Sequence, residues 1–353
     1  MLLLSLFQLF PAFHASPSKT FSKNPHFWAH SIGRLCKEVG RQVIPLAIQV
    51  KKLTFVHMTI RNFIDENSAR LSSGLAPVMD IMSKVKTVSD AQIILDFTDC
   101  HVVSPLFVLS LLVFQSHTEK DIIFTGKNDY LKSIGLADGG IRPDTLRRSE
   151  FLAVMEGYAN KDYIPIVNFP AKVEDDEKEA VSSIVESMLI RQNGIESNVA
   201  TGLKYIIEET LDNVTEHSQT DRGYIFAQSQ KERGYLDICI ADRGITLLGS
   251  YQRLPDNEIA SDLEAIKAAN RGISSKNLPE AENRGYGIYT SKKMLIEGLR
   301  GQYLMISGST FYMKGLGYDK FHELPMGLHW DGTIVAFRLP FCEPKFNYIN
   351  FIE

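Results

Sequence analysis

The chain has 353 residues, 44% of them hydrophobic, which supports conventional cores and suits two domains plus extensions. A formal net charge of −4 gives no polyanion-binding field, so no nucleic-acid partner is expected. Cys36, Cys100, Cys239 and Cys342 are scattered with no C-x-x-C pair, so neither a disulfide framework nor a zinc site is indicated.

In chain order, residues 1–57 read as an irregular extension. Met1–Phe13 is apolar, but no Lys or Arg precedes it and no good cleavage site comes after it. It is too short for a helix to span a bilayer, so no stable membrane insertion is expected. Pro17, Pro25 and Pro45 interrupt the stretch up to residue 50, and Met58 opens far more regular sequence. A native start near Met58 is a hypothesis that the N-terminal mass of the native protein tests.

Residues 58–140 are expected to form a small α/β domain. Ile60–Lys86 is mostly helix-forming, interrupted near Gly74 and Pro77. Ala91–Phe97 is a buried-strand run, and Ser104-Pro105 opens an apolar helix over Leu106–Gln115, with Pro suited to the first turn. A strand at Asp121–Phe124 and a short helix over Asn128–Gly135 come next. Asp138-Gly-Gly-Ile-Arg-Pro143 marks a break, and 141–162 reads as a linker.

Residues 163–342 make the second domain and 343–353 a tail. A strand at Ile164–Phe169 precedes a helix at about 176–192, begun by the acidic run Glu174–Glu179, whose charge suits a helix N-terminus. The next helical segment carries Glu209, Asn213 and His217 at successive i, i+4 steps, so the three side chains rise along one face. Leu203, Ile206, Ile207, Leu211 and Val214 fill the adjoining arc, so the polar row borders a buried stripe. A carboxylate can serve as general base, and a carboxamide oxygen is a hard ligand suited to Mg²⁺. By itself this spacing also arises in ordinary amphipathic helices.

Gly223–Gln228 and Tyr235–Ala241 flank the polar turn Lys231–Gly234 as a hairpin, and the second strand ends in Asp242-Arg-Gly244-Ile-Thr246. An Asp there can accept a hydrogen bond from an exocyclic amine, and the glycine allows close approach of a flat ligand. Ser250–Asn283 is polar and mixed in charge, with a short helix at Ile259–Asn270. Gly285-Tyr-Gly287 then leads into a helix over Tyr289–Glu297, whose first amides form an anion site. Lys292 and Lys293 on that helix read as solvated charges. Gly332–Pro340 is a closing strand.

The order Glu209/Asn213, Asp242/Gly244, Gly285/Gly287 and Gly332-Thr333 resembles the N, G1 and G2 boxes and closing strand of the gyrase, heat-shock chaperone, histidine-kinase and MutL (GHKL) superfamily. The resemblance covers about Tyr163–Pro340. It implies a Bergerat-type α/β sandwich with a mixed sheet, binding ATP and Mg²⁺. Asn213 would hold the metal, Glu209 would polarise a water or hydroxyl nucleophile, and Asp242 would read the adenine amine beside Gly244. Gly285 and Gly287 would offer amides to the phosphates, Thr333 would support Asp242, and 250–283 would be a lid closing over nucleotide. Thr246 stands where the usual second glycine would be, which leaves turnover less secure than binding. His57 sits in a β-branched setting unlike a phosphoacceptor helix, and no transducer-length segment comes after Pro340, so sensor kinases and gyrase-like motors are not expected.

The β-α-β order of 58–140 resembles the STAS domain of anti-sigma-factor antagonists. Its Asp-Ser-Ser-Gly-like turn is reduced to Ser104, better read as a helix N-cap than a phosphoacceptor. Together the resemblances imply an α/β, cytoplasmic, ATP-binding regulator similar to anti-sigma serine kinases, acting on a protein partner of STAS or other regulatory type. A homodimer, an ATP-gated switch with slow or no hydrolysis, and an interaction module with a decayed nucleotide site all stay open.

Overall fold

The computed structural model describes residues 54–60, 70–88, 91–100, 103–126, 129–171, most of 182–191, 194–255, 257–275, 287–325, 327–341 and 346–351. The fold is α/β, with a three-stranded parallel sheet and a seven-stranded sheet that is antiparallel at every pairing. The antiparallel pairing corrects the mixed sheet expected from sequence. Residues 53–353 form one compact unit.

Strand β1 (Thr54–Thr59) pairs in parallel with β2 (Ala91–Asp96), which pairs with β3 (Ile122–Thr125). β1 begins four residues before Met58, inside the expected irregular extension, so a start at Met58 would remove most of a paired strand. The remainder of that extension, through residue 53, lies outside the described residues. Between the strands run α1 (Leu75–Thr87) and α2 (Pro105–His117). Ser104 Oγ accepts from the Phe107 amide at 3.2 Å, and Pro105 fills the first turn, so this serine is the N-cap.

α2 is apolar on all sides: Leu106–Leu109 and Leu111–Phe114 are buried. A helix of that kind needs partners all round. It packs on the strands Arg222–Gln230, Tyr235–Asp242 and Trp330–Pro340 of the large sheet, and α1, α2 and the small sheet share one continuous core with one face of that sheet. Each fully buried Leu, Val or Phe contributes about 1.5–3 kcal/mol relative to exposure.

The segment expected as a linker holds a 3₁₀ turn, helix α4 (Arg148–Glu156) and the pairing of Ile141 with Val167; α3 (Asp129–Ser133) precedes it. The large sheet has the order β4-β5-β6-β10-β7-β8-β9. Its strands are β4 (Tyr163–Pro170), β5 (Arg222–Gln230), β6 (Tyr235–Asp242), β7 (Gln302–Gly308), β8 (Thr310–Gly315), β9 (Tyr318–Glu323) and β10 (Trp330–Pro340). β7, β8 and β9 are not anticipated by the sequence reading.

Alternation divides the strands cleanly. Phe226, Cys239, Ala241, Ile306 and Ala336 face the α2 side, and Ile225, Ile238, Ile240, Met305, Val335 and Phe337 face the other. That second face is covered by α5 (Ser197–His217) and α8 (Gly287–Lys293), which continues as a π-helical turn at Met294–Gly298. Of the helix expected at 176–192, the described positions 182, 183, 186–188, 190 and 191 are helical, and the rest lies outside the described residues. Two further helices, α6 (Leu247–Tyr251) and α7 (Asp262–Asn270), lie on the same side. Among the described residues no helix is long and apolar enough to cross a membrane.

Candidate functional site

Helix α5 supplies one wall of a cleft. Its apolar stripe of Leu203, Ile206, Ile207, Leu211 and Val214 is buried, which turns the bordering row Glu209, Asn213 and His217 into the cleft. One turn earlier on α5, Tyr205 lies near enough to the Glu209 carboxylate to feel its charge. Burial, followed by this carboxylate, raises the phenol pKa. The i−4 spacing of Tyr205 from Glu209 was visible in the sequence.

Asn213 Nδ2 donates to the Glu209 carbonyl at 2.6 Å, so the carboxamide oxygen is the end left for a ligand. The Glu209 carboxylate lies over Gly287 at the start of α8. A side chain at 287 would put its Cβ 2.0 Å from Glu209 Oε2, so glycine is what lets helix and carboxylate meet. His217 Nδ1 lies 3.2 Å from Ser275 Oγ, which accepts from Ser250 Oγ at 2.9 Å. Tyr251 Oη donates to the Ile273 carbonyl at 2.5 Å, so residues 273–275 are fastened to both α5 and α6.

Asp242 closes β6 and is 3% exposed. Gly244 N–H donates to its Oδ1 at 2.7 Å, and the Thr333 backbone N–H donates to the same carboxyl. Burial outweighs these two amides and pushes its pKa up to about 7. Thr333 therefore supports Asp242 through its main chain, while its hydroxyl lies 3.3 Å from Ser307 Oγ. Gly332 adopts φ +87°, and a Cβ there would lie 2.4 Å from the Asp242 carbonyl, so the approach of β10 to Asp242 requires glycine.

Gly244 has a different reason from the one its motif suggests. A Cβ at 244 would lie 1.7 Å from the Ser218 carbonyl oxygen, so the glycine permits contact with the end of α5. The Ile245 amide donates to that same carbonyl at 2.6 Å. Thr246, in place of a second glycine, N-caps α6 by accepting from Gly249 N at 3.1 Å. The cap starts the helix that carries Leu247, Ser250 and Tyr251 into the cleft wall.

The cleft has a volume of about 240 Å³ and brings together Glu209, Asn213, Asp242, Gly287 and Thr333 from separate segments. Gly244 adjoins it through Asp242, and Gly285 lies outside the described residues. Its apolar floor is Ile240, Met305 and Val335, strand residues on the face opposite α2. No family model and no curated protein matches the chain.

Lys292 corrects the sequence reading. It is 6% exposed, not solvated, and its ammonium donates to the Asn270 carbonyl at 2.6 Å and lies 5.3 Å from the Tyr312 ring centre. Burial, followed by nearby Lys314, lowers its pKa to about 8. It joins α8 to the C-terminal end of α7, whose carbonyls favour a cation.

Chemically, the cleft offers apolar strand residues, the buried Asp242 carboxyl from β6, and the Glu209 carboxylate and Asn213 carboxamide oxygen from α5. Among the described residues no group of three His, Cys, Asp or Glu side chains could hold a metal alone. A cation here would need oxygen from a ligand as well as from Asn213. Mg²⁺ fits that requirement, since it keeps waters and is bound by one or two protein oxygens plus phosphates.

Proposed function

We propose that the cleft binds Mg·ATP and that the protein is an ATP-binding regulator of the histidine kinase-like superfamily, similar to anti-sigma serine kinases. The observation that carries this reading is the convergence of Glu209, Asn213, Asp242, Gly287 and Thr333 on one cleft. Adenine would lie on Ile240, Met305 and Val335 with its amine on Asp242, and the phosphates would run towards Gly287 and Asn213. Asn213 Oδ1 would hold Mg²⁺, which would neutralise phosphate charge. Glu209 would accept the proton of an incoming hydroxyl or water.

A STAS-type or other regulatory protein remains the proposed partner. Ser104 N-caps α2, and α2 packs on the sheet face opposite the cleft, which argues for a hydroxyl acceptor from another molecule. The fastening of 273–275 to α5 and α6 favours a second reading, an ATP-gated switch in which these hydrogen bonds are exchanged on nucleotide binding; residues 276–283 of the expected lid lie outside the described residues.

Incubation with γ-labelled ATP, with and without a lysate, separates the two. Label on a protein supports the kinase, and bound but unreacted ATP supports the switch. In either case wild type and Glu209→Ala should retain ATP on a filter, and any turnover should vanish in the variant. Wild-type protein that retains no ATP would contradict the proposal.

A further inference from the structure

Four buried side-chain polar atoms lack a hydrogen-bond partner among the described residues: Ser110 Oγ, Ser229 Oγ, Ser291 Oγ and Trp330 Nε1. Of these four residues, Ser291 alone lines the cleft. It sits on α8 one turn after Gly287 and Ile288, so the three share a helix face, and all three line the cleft. The residue is 4% exposed.

A buried hydroxyl on a helix ordinarily satisfies itself by donating to the carbonyl four residues back. Thr210, in the facing wall, does so to Ile206 at 2.7 Å, and Ser218 bonds back to Val214 in the same way. Ser291 does not, although burying an unpaired hydroxyl is unfavourable. Alanine would pack there with better helix propensity and no unmet polar atom. A serine in this place is explained when a ligand completes it.

We propose that Ser291 is a base-reading residue: its hydroxyl donates to a ring nitrogen of a purine whose exocyclic amine is held by Asp242. This rests on the nucleotide reading of the cleft. The floor residues Ile240, Met305 and Val335 cannot hydrogen-bond a ring nitrogen, and the hydroxyls of Thr210, Ser218, Ser250 and Tyr251, which also line the cleft, already donate within the protein. The ring nitrogens of adenine are acceptors only, so they pair with a donor such as a serine hydroxyl and not with a carboxylate. The assignment makes Ser291 a determinant of base identity.

The test compares wild type and Ser291→Ala in titrations with Mg·ATP and its 1-deaza, 3-deaza and 7-deaza analogues. Wild type should lose about tenfold in affinity for one analogue, the loss of one neutral hydrogen bond with its donor left buried. Ser291→Ala should bind ATP about tenfold more weakly and bind that analogue no worse than ATP. Its ligand-free melting temperature should stay the same or rise, a sign opposite to that of a residue kept for packing. Equal ATP affinity in the two proteins, or equal losses with every analogue, overturns the role of Ser291 while leaving the nucleotide site standing. Failure of the wild type to bind ATP overturns both.

Discussion

Asp242 is where burial and function meet most sharply. Its pKa rises from 3.8 to about 7, so the folded chain holds a proton that the unfolded chain has already released near neutral pH. The associated stability is fully present below pH 3.8 and is lost as pH rises through 7, about 4 kcal/mol in all. An amine donor pairs with the ionised carboxyl and offsets that cost. ATP should therefore bind about tenfold more weakly at pH 6 than at pH 8, since about a tenth of Asp242 is ionised at the lower pH. Asp242→Asn should abolish the slope and stabilise the ligand-free protein at pH 8. Titration calorimetry at the two pH values checks both; a flat wild-type profile, or an unchanged slope in the variant, contradicts them. At this scale the sequence was legible where helical period alone decides, as for Glu209 and Asn213. It was not legible for Gly244, whose need arises from the Ser218 carbonyl, or for Lys292, whose burial depends on α7 folding across α8.

Among the elements, the pair Asp237–Arg338 joins β6 to β10 in register. The guanidinium donates to both carboxylate oxygens at 2.6 and 2.8 Å and stacks 3.6 Å from the Tyr235 ring centre. Both side chains are buried, so removing one strands the other's charge. Asp237→Ala should cost about 3–5 kcal/mol, while Asp237→Leu combined with Arg338→Met should cost less than either single change. Chemical denaturation measures the three variants, and a double variant worse than both singles would contradict the reading. The strands β4, β5, β6 and β10 were legible as strand-like runs and, for β5 and β6, from the polar turn at 231–234. β7–β9 were not, because Gly308-Ser309 and Gly315-Leu-Gly317 cut the stretch into short strands; within β7, Tyr303–Ile306 is an apolar run buried on both faces, a signal that was there to be read. Their strand character comes from pairing with β10 and with each other.

For the molecule, the large sheet is buried on both faces, by α5 and α8 on one and by α2 on the other. The sequence showed two α/β halves with a break at 138–143, since each half carries its own strand and helix pattern. It could not show that an all-round apolar α2 serves both sheets. One shared core predicts one cooperative melting transition for residues 53–353. It also predicts that a fragment of residues 141–353 aggregates, because it would expose Phe226, Cys239, Ala241, Ile306 and Ala336. Calorimetry and gel filtration test this; two separate transitions, or a monomeric fragment, would contradict it.

The measurement that bears most directly on the cleft is a calorimetric titration of ATP into the full chain, with and without Mg²⁺, for wild type and Asn213→Ala. Wild type should bind ATP more tightly with Mg²⁺ than without, and Asn213→Ala should lose that metal-dependent gain. No heat of binding in wild type, or a Mg²⁺ gain that survives in Asn213→Ala, would contradict the assignment of this cleft to Mg·ATP.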